Sequence, residues 1–232
     1  MPSAPRGVLI TRPQAEAEST AARLTALGWT PVLAPMLTIR LLTPIWPESI
    51  AALALTSGNA VPALPRHLRN LPLFAVGDAT ATRARTAGFT MARSAGADAD
   101  ALAALIAAEA PPGPILLAVG AGRGGDLATR LRAAGREVHL RAVYTADPVP
   151  ALPEPAVRAL RAATLTAALF FSAETARIFM ARAAAADLLP ALAELRACAI
   201  SRRAVVALQG AAWRELRQAA HPTQDAMLTL LP

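Results

Sequence analysis

Apolar residues fall into short runs that alternate with helix-spaced patterns, and several runs end in a small or hydroxylated residue. Val8–Thr11 reads as a buried strand. Pro13 suits a first helical turn, where its missing N–H costs nothing, and Ala17, Ala21, Leu24 and Leu27 follow at helical spacing. Gly28 is the predicted stop and Pro31–Ala34 the next strand. This βαβ order calls for a parallel sheet with helices on its faces.

The same grammar recurs. Ala51–Thr56 is a strand running into Ser57-Gly58-Asn59-Ala60-Val61. Leu73–Val76 runs into Gly77-Asp78-Ala79-Thr80-Ala81, with Gly88 as the helix stop. Ile115–Val119 enters the glycine-rich loop Gly120–Gly125 and a helix ending near Gly135, and Val138–Tyr144 is the following strand. Ala167–Phe171 leads into Ser172-Ala173-Glu174-Thr175, and Cys198–Ile200 into Ser201-Arg202-Arg203. Residues 8–40 parallel 115–147, and 54–89 parallel 168–213, which predicts two similar α/β halves with a working site in the cleft between them. Proline-rich Ala146–Pro155 is the predicted linker, since prolines stiffen and extend a connection. A second crossover is predicted near Pro35–Thr43.

Composition narrows the function classes. Hydrophobic residues make up 54% of the 232, but no stretch of 18 is free of charge, Pro and Gly, so no membrane-spanning helix is expected. Met1-Pro2-Ser3-Ala4-Pro5-Arg6 has no apolar leader region, which points to the cytoplasm. Cys198 is the only cysteine, so there is no internal disulfide, and a small buried core residue is the expectation. The formal charge is +7, carried by 23 arginines and no lysine, which favours anionic partners. The arginines are scattered and only one tyrosine is present, so a polycarboxylate or phosphate ligand fits better than nucleic acid.

Strand-to-helix junctions are where chemistry is expected. In open parallel sheets ligands bind outside the carboxyl ends of the strands, where helix N-termini offer N–H groups to anions. Here the junctions carry Thr11, Ser57, Asn59, Thr80, Ser172 and Ser201; they read equally as ordinary N-caps, worth about 1 kcal/mol each. The loop Gly120–Gly125 lacks the acidic partner of a dinucleotide site and the lysine of a P-loop, and reads as a turn. His67, His139 and His221 are scattered, so no metal site is expected. No nucleophile triad or carboxylate pair is visible, so an enzyme of this kind would work by positioning and electrostatics. Tyr144, ending a strand before the linker, reads either as packing or as a catalytic hydroxyl.

The chain resembles the uroporphyrinogen-III synthase family. The resemblance rests on Val8-Leu9-Ile10-Thr11-Arg12-Pro13, Leu55-Thr56-Ser57-Gly58-Asn59-Ala60-Val61, Ala75-Val76-Gly77-Asp78-Ala79-Thr80-Ala81, Val143-Tyr144 and Phe170-Phe171-Ser172-Ala173-Glu174-Thr175-Ala176. Ala199-Ile200-Ser201 and Ala220-His221-Pro222-Thr223 add to it. It implies two flavodoxin-like three-layer α/β domains with parallel sheets: 1–36 with 149–232, and an inserted 37–148, joined by a two-stranded linker. It further implies a hydro-lyase of haem biosynthesis that cyclises hydroxymethylbilane to uroporphyrinogen III, losing water and inverting ring D, without metal or organic cofactor. Its substrate, a linear tetrapyrrole with eight carboxylates, suits a basic chain. By resemblance Tyr144 assists departure of the hydroxyl, while Thr11, Arg12, Ser57, Asn59, Gly77, Thr80, Ser172 and Ser201 bind carboxylates. A cytoplasmic monomer touching the preceding pathway enzyme only transiently is implied too. Two departures stand out: Ser201-Arg202-Arg203-Ala204 replaces a threonine-containing turn, and Pro44-Ile45-Trp46-Pro47 a longer stretch. The rival reading is a non-catalytic two-domain cytoplasmic binding protein for a polyanionic small molecule.

Overall fold

The computed structural model describes residues 6–232; residues 1–5, on which the leader reading rests, lie outside them. The chain divides into two compact units, residues 6–38 with Asp147–Pro232, and Ile39–Ala146.

Burial on both faces explains where the strands form. In the first unit, β1 (Gly7–Ile10) is buried throughout and β9 (Leu165–Phe170) almost so. They stand at the centre of a sheet ordered β11-β10-β9-β1-β2, with β2 at Thr30–Leu33, β10 at Arg196–Ala199 and β11 at Glu215–Gln218. All its pairings are parallel. Alternate residues serve opposite faces. Leu9, Ala168, Phe170, Ala197 and Ala199 pack under α5 (Glu154–Arg161), α6 (Ala173–Ala185) and α7 (Arg202–Leu208). Val8, Ile10, Leu169 and Cys198 pack under α1 (Gln14–Ala26) and α8 (Gln224–Leu228). The result is three layers, helix on sheet on helix.

The second unit repeats this logic. β4 (Ala52–Leu55), β5 (Leu73–Ala75) and β7 (Ile115–Gly120) are buried from end to end. With β6 (Ala92–Ser94), β8 (Val138–Pro148) and β3 (Leu37–Leu41) they form a sheet ordered β3-β8-β7-β4-β5-β6. α2 (Asp78–Thr86) packs on the face of Leu53, Leu55, Leu116 and Ala118. α3 (Ala99–Glu109) and α4 (Gly125–Ala133) cover that of Ala54, Phe74, Leu117 and Val119. The pairings from β8 through β6 are parallel. Only β3 runs the other way: Val149 N–H meets the Met36 carbonyl and Leu42 N–H the Val143 carbonyl, rising along one strand and falling along the other.

The duplication read from sequence has a topological counterpart. In chain order the first unit's strands are β1, β2, β9, β10 and β11, arranged in space as 2-1-3-4-5. Counting the second unit from β7, through β8 and then β4, β5 and β6, gives the same arrangement. Thus β1 matches β7, β2 matches β8, and β9 matches β4, a circular permutation of one plan. Gly28 and Gly135 occupy matching places after α1 and α4, with φ of +78° and +76°. A left-handed residue there closes the helix C-terminus, and glycine adopts it without a Cβ penalty.

Two expectations are corrected. Tyr144 does not end its strand, because β8 continues four residues further to Pro148. The linker expectation is corrected in part: Ala146–Pro155 does hold the boundary between the units, after Ala146, but it is built into secondary structure and core instead of standing as a separate extended connection. Asp147 and Pro148 belong to β8, Leu152 is buried in the core, and Pro153 precedes α5, where a missing N–H costs nothing. The junction after Ser57 is a 3-10 turn over Gly58–Ala63 containing Pro62.

Candidate active site

Strand register gathers the junction residues of each unit into a row. In the second unit Leu55 lies opposite both Ala75 and Ala118, and Gly120 opposite Tyr144. Two residues beyond Leu55 and Ala75, the same register brings Ser57 and Gly77 level with Gly120. Tyr144, Gly120, Ser57 and Gly77 therefore follow one another across β8, β7, β4 and β5 at about 4.8 Å per strand. In the first unit Ile10 faces Leu169, and Phe170 faces Ala199. Ser172 and Ser201 are then level, with Arg12 beside Phe171. Matched strands carry matched positions.

Tyr144 lies with its ring against Gly120. A Cβ on Gly120 would stand 2.9 Å from ring atoms Cε2 and Cζ and 3.1 Å from the hydroxyl oxygen. Glycine is thus required at 120 by close approach. The ring is 8% exposed and packs within the α2 face of the core. Gly77 precedes α2 without a side-chain cap, and a Cβ there would meet open space. The first amides of α2 have no intrahelical acceptor, so an anion can approach them over an unobstructed glycine. Thr80, 8% exposed, sits in the first turn of α2, its N–H bonded to the Gly77 carbonyl at 3.1 Å.

The serines are caps. Ser57 Oγ accepts from Asn59 N–H at 3.2 Å, Ser172 Oγ from Thr175 N–H at 3.0 Å, and Ser201 Oγ from Ala204 N–H at 3.4 Å. Each satisfies one orphan amide, a contribution of about 1 kcal/mol, and sets the angle at which the next segment leaves the sheet. Their local role is structural, at the positions where the chain turns over the strand ends.

Arg12 is held from several sides. Its guanidinium stacks over Phe171 at 4.4 Å, and Nη1 donates to Thr20 Oγ1 at 3.3 Å and Gln224 Oε1 at 3.1 Å. Burial pulls its pKa below the ordinary arginine value, and the nearby charge of Glu16 works against that. The contacts fix one edge of a cation in place. Thr11 is fully buried, and its hydroxyl donates 2.8 Å to the Leu169 carbonyl. That bond staples β1 to β9.

The structure thus brings Tyr144, Ser57, Asn59, Gly77 and Thr80 together on one rim, and Arg12, Ser172 and Ser201 on the other unit's rim. Sequence reasoning missed Gly120 as the neighbour of Tyr144, and Arg83, whose Nη1 donates to Asn59 Oδ1 at 3.3 Å. It also missed Phe171 and Gln224 as the supports of Arg12. Only the glycine-rich loop gave any signal for Gly120; nothing local marks the others. Among the described residues no cluster of three or more His, Cys, Asp and Glu is placed to hold a metal. No described helix is long and apolar enough to cross a membrane.

Residues 18–229 match the sequence model of the family uroporphyrinogen-III synthase HemD. The chain belongs to this family. Its fold is that of solved structures bearing the same activity in their names. The uroporphyrinogen-III synthetase of Helicobacter pylori 26695 is 17% identical, matches over 97% of both chains and superposes with a TM-score of 0.62. A mutant uroporphyrinogen III synthase of the extreme thermophile Thermus thermophilus is 20% identical over 96% of both chains, with a TM-score of 0.50. No curated protein matches the chain.

Proposed function

We propose that this chain is the hydro-lyase that cyclises hydroxymethylbilane to uroporphyrinogen III, with no metal or organic cofactor. Family membership over 18–229 carries the reaction, and the two amide-lined rims support the substrate. A linear tetrapyrrole with eight carboxylates needs many anion contacts and few acid or base groups. Strand ends lined by glycine, serine and asparagine, with a pinned Arg12 in a +7 chain, meet that need. The 2-1-3-4-5 strand order shared by both units supports reading them as flavodoxin-like domains, 1–36 with 149–232 and 37–148. A cytoplasmic monomer that meets the preceding pathway enzyme transiently completes the proposal.

Chemically, the terminal hydroxyl must leave as water, which requires a proton at its oxygen. Tyr144 is our choice for the donor, since its hydroxyl makes no hydrogen bond among the described residues and its ring is fixed against Gly120. Loss of water gives an azafulvene, which attacks ring D at its substituted α-carbon. The spiro intermediate then breaks and recloses with the ring reversed. Without a protein the unrearranged chain closes to the uninverted isomer, so the residues that grip carboxylates must hold ring D in the reactive pose. Arg12, Ser57, Asn59, Gly77, Thr80, Ser172 and Ser201 are the proposed contacts, several through backbone N–H. The test is direct: purified protein receives enzymatically generated hydroxymethylbilane, and product isomers are separated after oxidation. The inverted isomer is expected; the uninverted isomer alone, at the spontaneous rate, would sink the proposal and leave a binding protein.

A further inference from the structure

Arg83 lies half-buried on α2, and its aliphatic stem crosses the turn that follows β4. A Cβ on Gly58 would come 2.9 Å from Arg83 Cδ, so the missing side chain at 58 is the room the arginine occupies. From there Nη1 donates to Asn59 Oδ1 at 3.3 Å, while Asn59 N–H is held by Ser57 Oγ at 3.2 Å. Both the backbone and the side chain of Asn59 are therefore tethered, by groups 2 and 24 residues away.

An amide side chain has an accepting oxygen on one side and a donating NH2 on the other. A carboxylate only accepts, so it binds the NH2 and is repelled by the oxygen. With Oδ1 turned to the guanidinium, Nδ2 is the side left for a ligand. We propose that Arg83 is a positioning residue for Asn59: it locks the amide so that Nδ2 donates to a carboxylate of the substrate. Arg83 need not touch the substrate to do this. Gly58 belongs to the same device, because any side chain there displaces the arginine stem. The inference rests on the cyclisation reading and on Asn59 as a carboxylate contact.

Kinetics on four variants test it: Arg83→Met, Asn59→Ala, the double variant, and Gly58→Ala, each with its melting temperature and isomer ratio. A hydrogen bond to a charged group governs roughly tenfold in affinity. Arg83→Met is expected to raise KM by about tenfold with kcat within about twofold, at little cost in melting temperature. In the Asn59→Ala background the same change should add less than about twofold, since the amide it positions is gone. Gly58→Ala, which leaves Arg83 in the chain, should reproduce the KM rise. Multiplying effects in the double variant would overturn the inference, because Arg83 would then act on the substrate by itself. So would an unchanged KM in Asn59→Ala, with the cyclisation reading intact so long as the parent protein still yields the inverted isomer. A parent protein yielding only the uninverted isomer would overturn that reading, and this inference with it.

Discussion

Replacing Gly120 with alanine puts the Tyr144 contact to the proof. The new methyl carbon would stand 2.9 Å from two ring carbons and 3.1 Å from the hydroxyl oxygen. Carbon atoms rest at about 3.5–4.0 Å, so relief requires the ring to retreat by roughly 0.6–1 Å. The ring is 8% exposed and packed against the core, which leaves no cheap direction to move. Overpacking of this kind costs about 1–3 kcal/mol, at about 2–4 °C of melting temperature per kcal/mol for a chain this long. Backbone strain adds nothing, since Gly120 does not occupy the left-handed region. Activity should suffer more than stability. If the hydroxyl delivers the proton, a displacement near 1 Å lowers kcat by up to about a hundredfold. The assay pairs thermal unfolding with turnover of hydroxymethylbilane, in the parent protein and in Tyr144→Ala. Gly120→Ala should melt several degrees lower in the parent and almost unchanged beside Tyr144→Ala. A parent-like melting point and kcat in Gly120→Ala, or an equal loss in both backgrounds, would refute the close approach as the cause.

Three further outcomes are expected. Thr11→Val loses the buried bond to Leu169, costing about 1–2 kcal/mol in denaturant unfolding with KM unchanged; a raised KM at full stability would mark Thr11 as a ligand. Tyr144→Phe keeps the ring and removes the proton, so kcat should fall while melting holds, and unchanged turnover would end its catalytic role. Burial pushes the Cys198 thiol up to about 12 from its ordinary 9.0, so native protein should resist a thiol reagent at about pH 8 and react once unfolded. Because the folded value lies above the unfolded one, the stabilising effect of the neutral thiol is complete below pH 9.0 and fades as pH rises from there toward about 12. A thiol that labels in the folded protein contradicts its burial.

Legibility in the sequence followed the range of each interaction. The central strands β1, β4, β7 and β9 were readable because burial on both faces writes an uninterrupted apolar run. The edge strands β6 and β11 were missed, since Ala92–Ser94 and Glu215–Gln218 carry polar residues on a half-exposed rim. Helix α3, which Asp98 caps by accepting from Asp100 and Ala101 N–H at 3.0 Å, is not among the elements the sequence predicts. The caps at Ser57, Ser172 and Ser201 were legible as hydroxyls before a helix-forming stretch, while their separation from Thr11, which has the same chemistry, was not. Burial decides between them, and burial is not local.

By itself the sequence determined the repeated strand, junction and helix, and the glycine stops at 28 and 135, because backbone preference and apolar periodicity act over a few residues. Tertiary structure alone decided that Tyr144 leans on Gly120, that Arg83 holds Asn59, and that Arg12 reaches Gln224 across 212 residues of chain. Each of those meetings depends on which strands are neighbours and in what register. Parallel pairing joins segments far apart in the chain, and no local pattern specifies the partner.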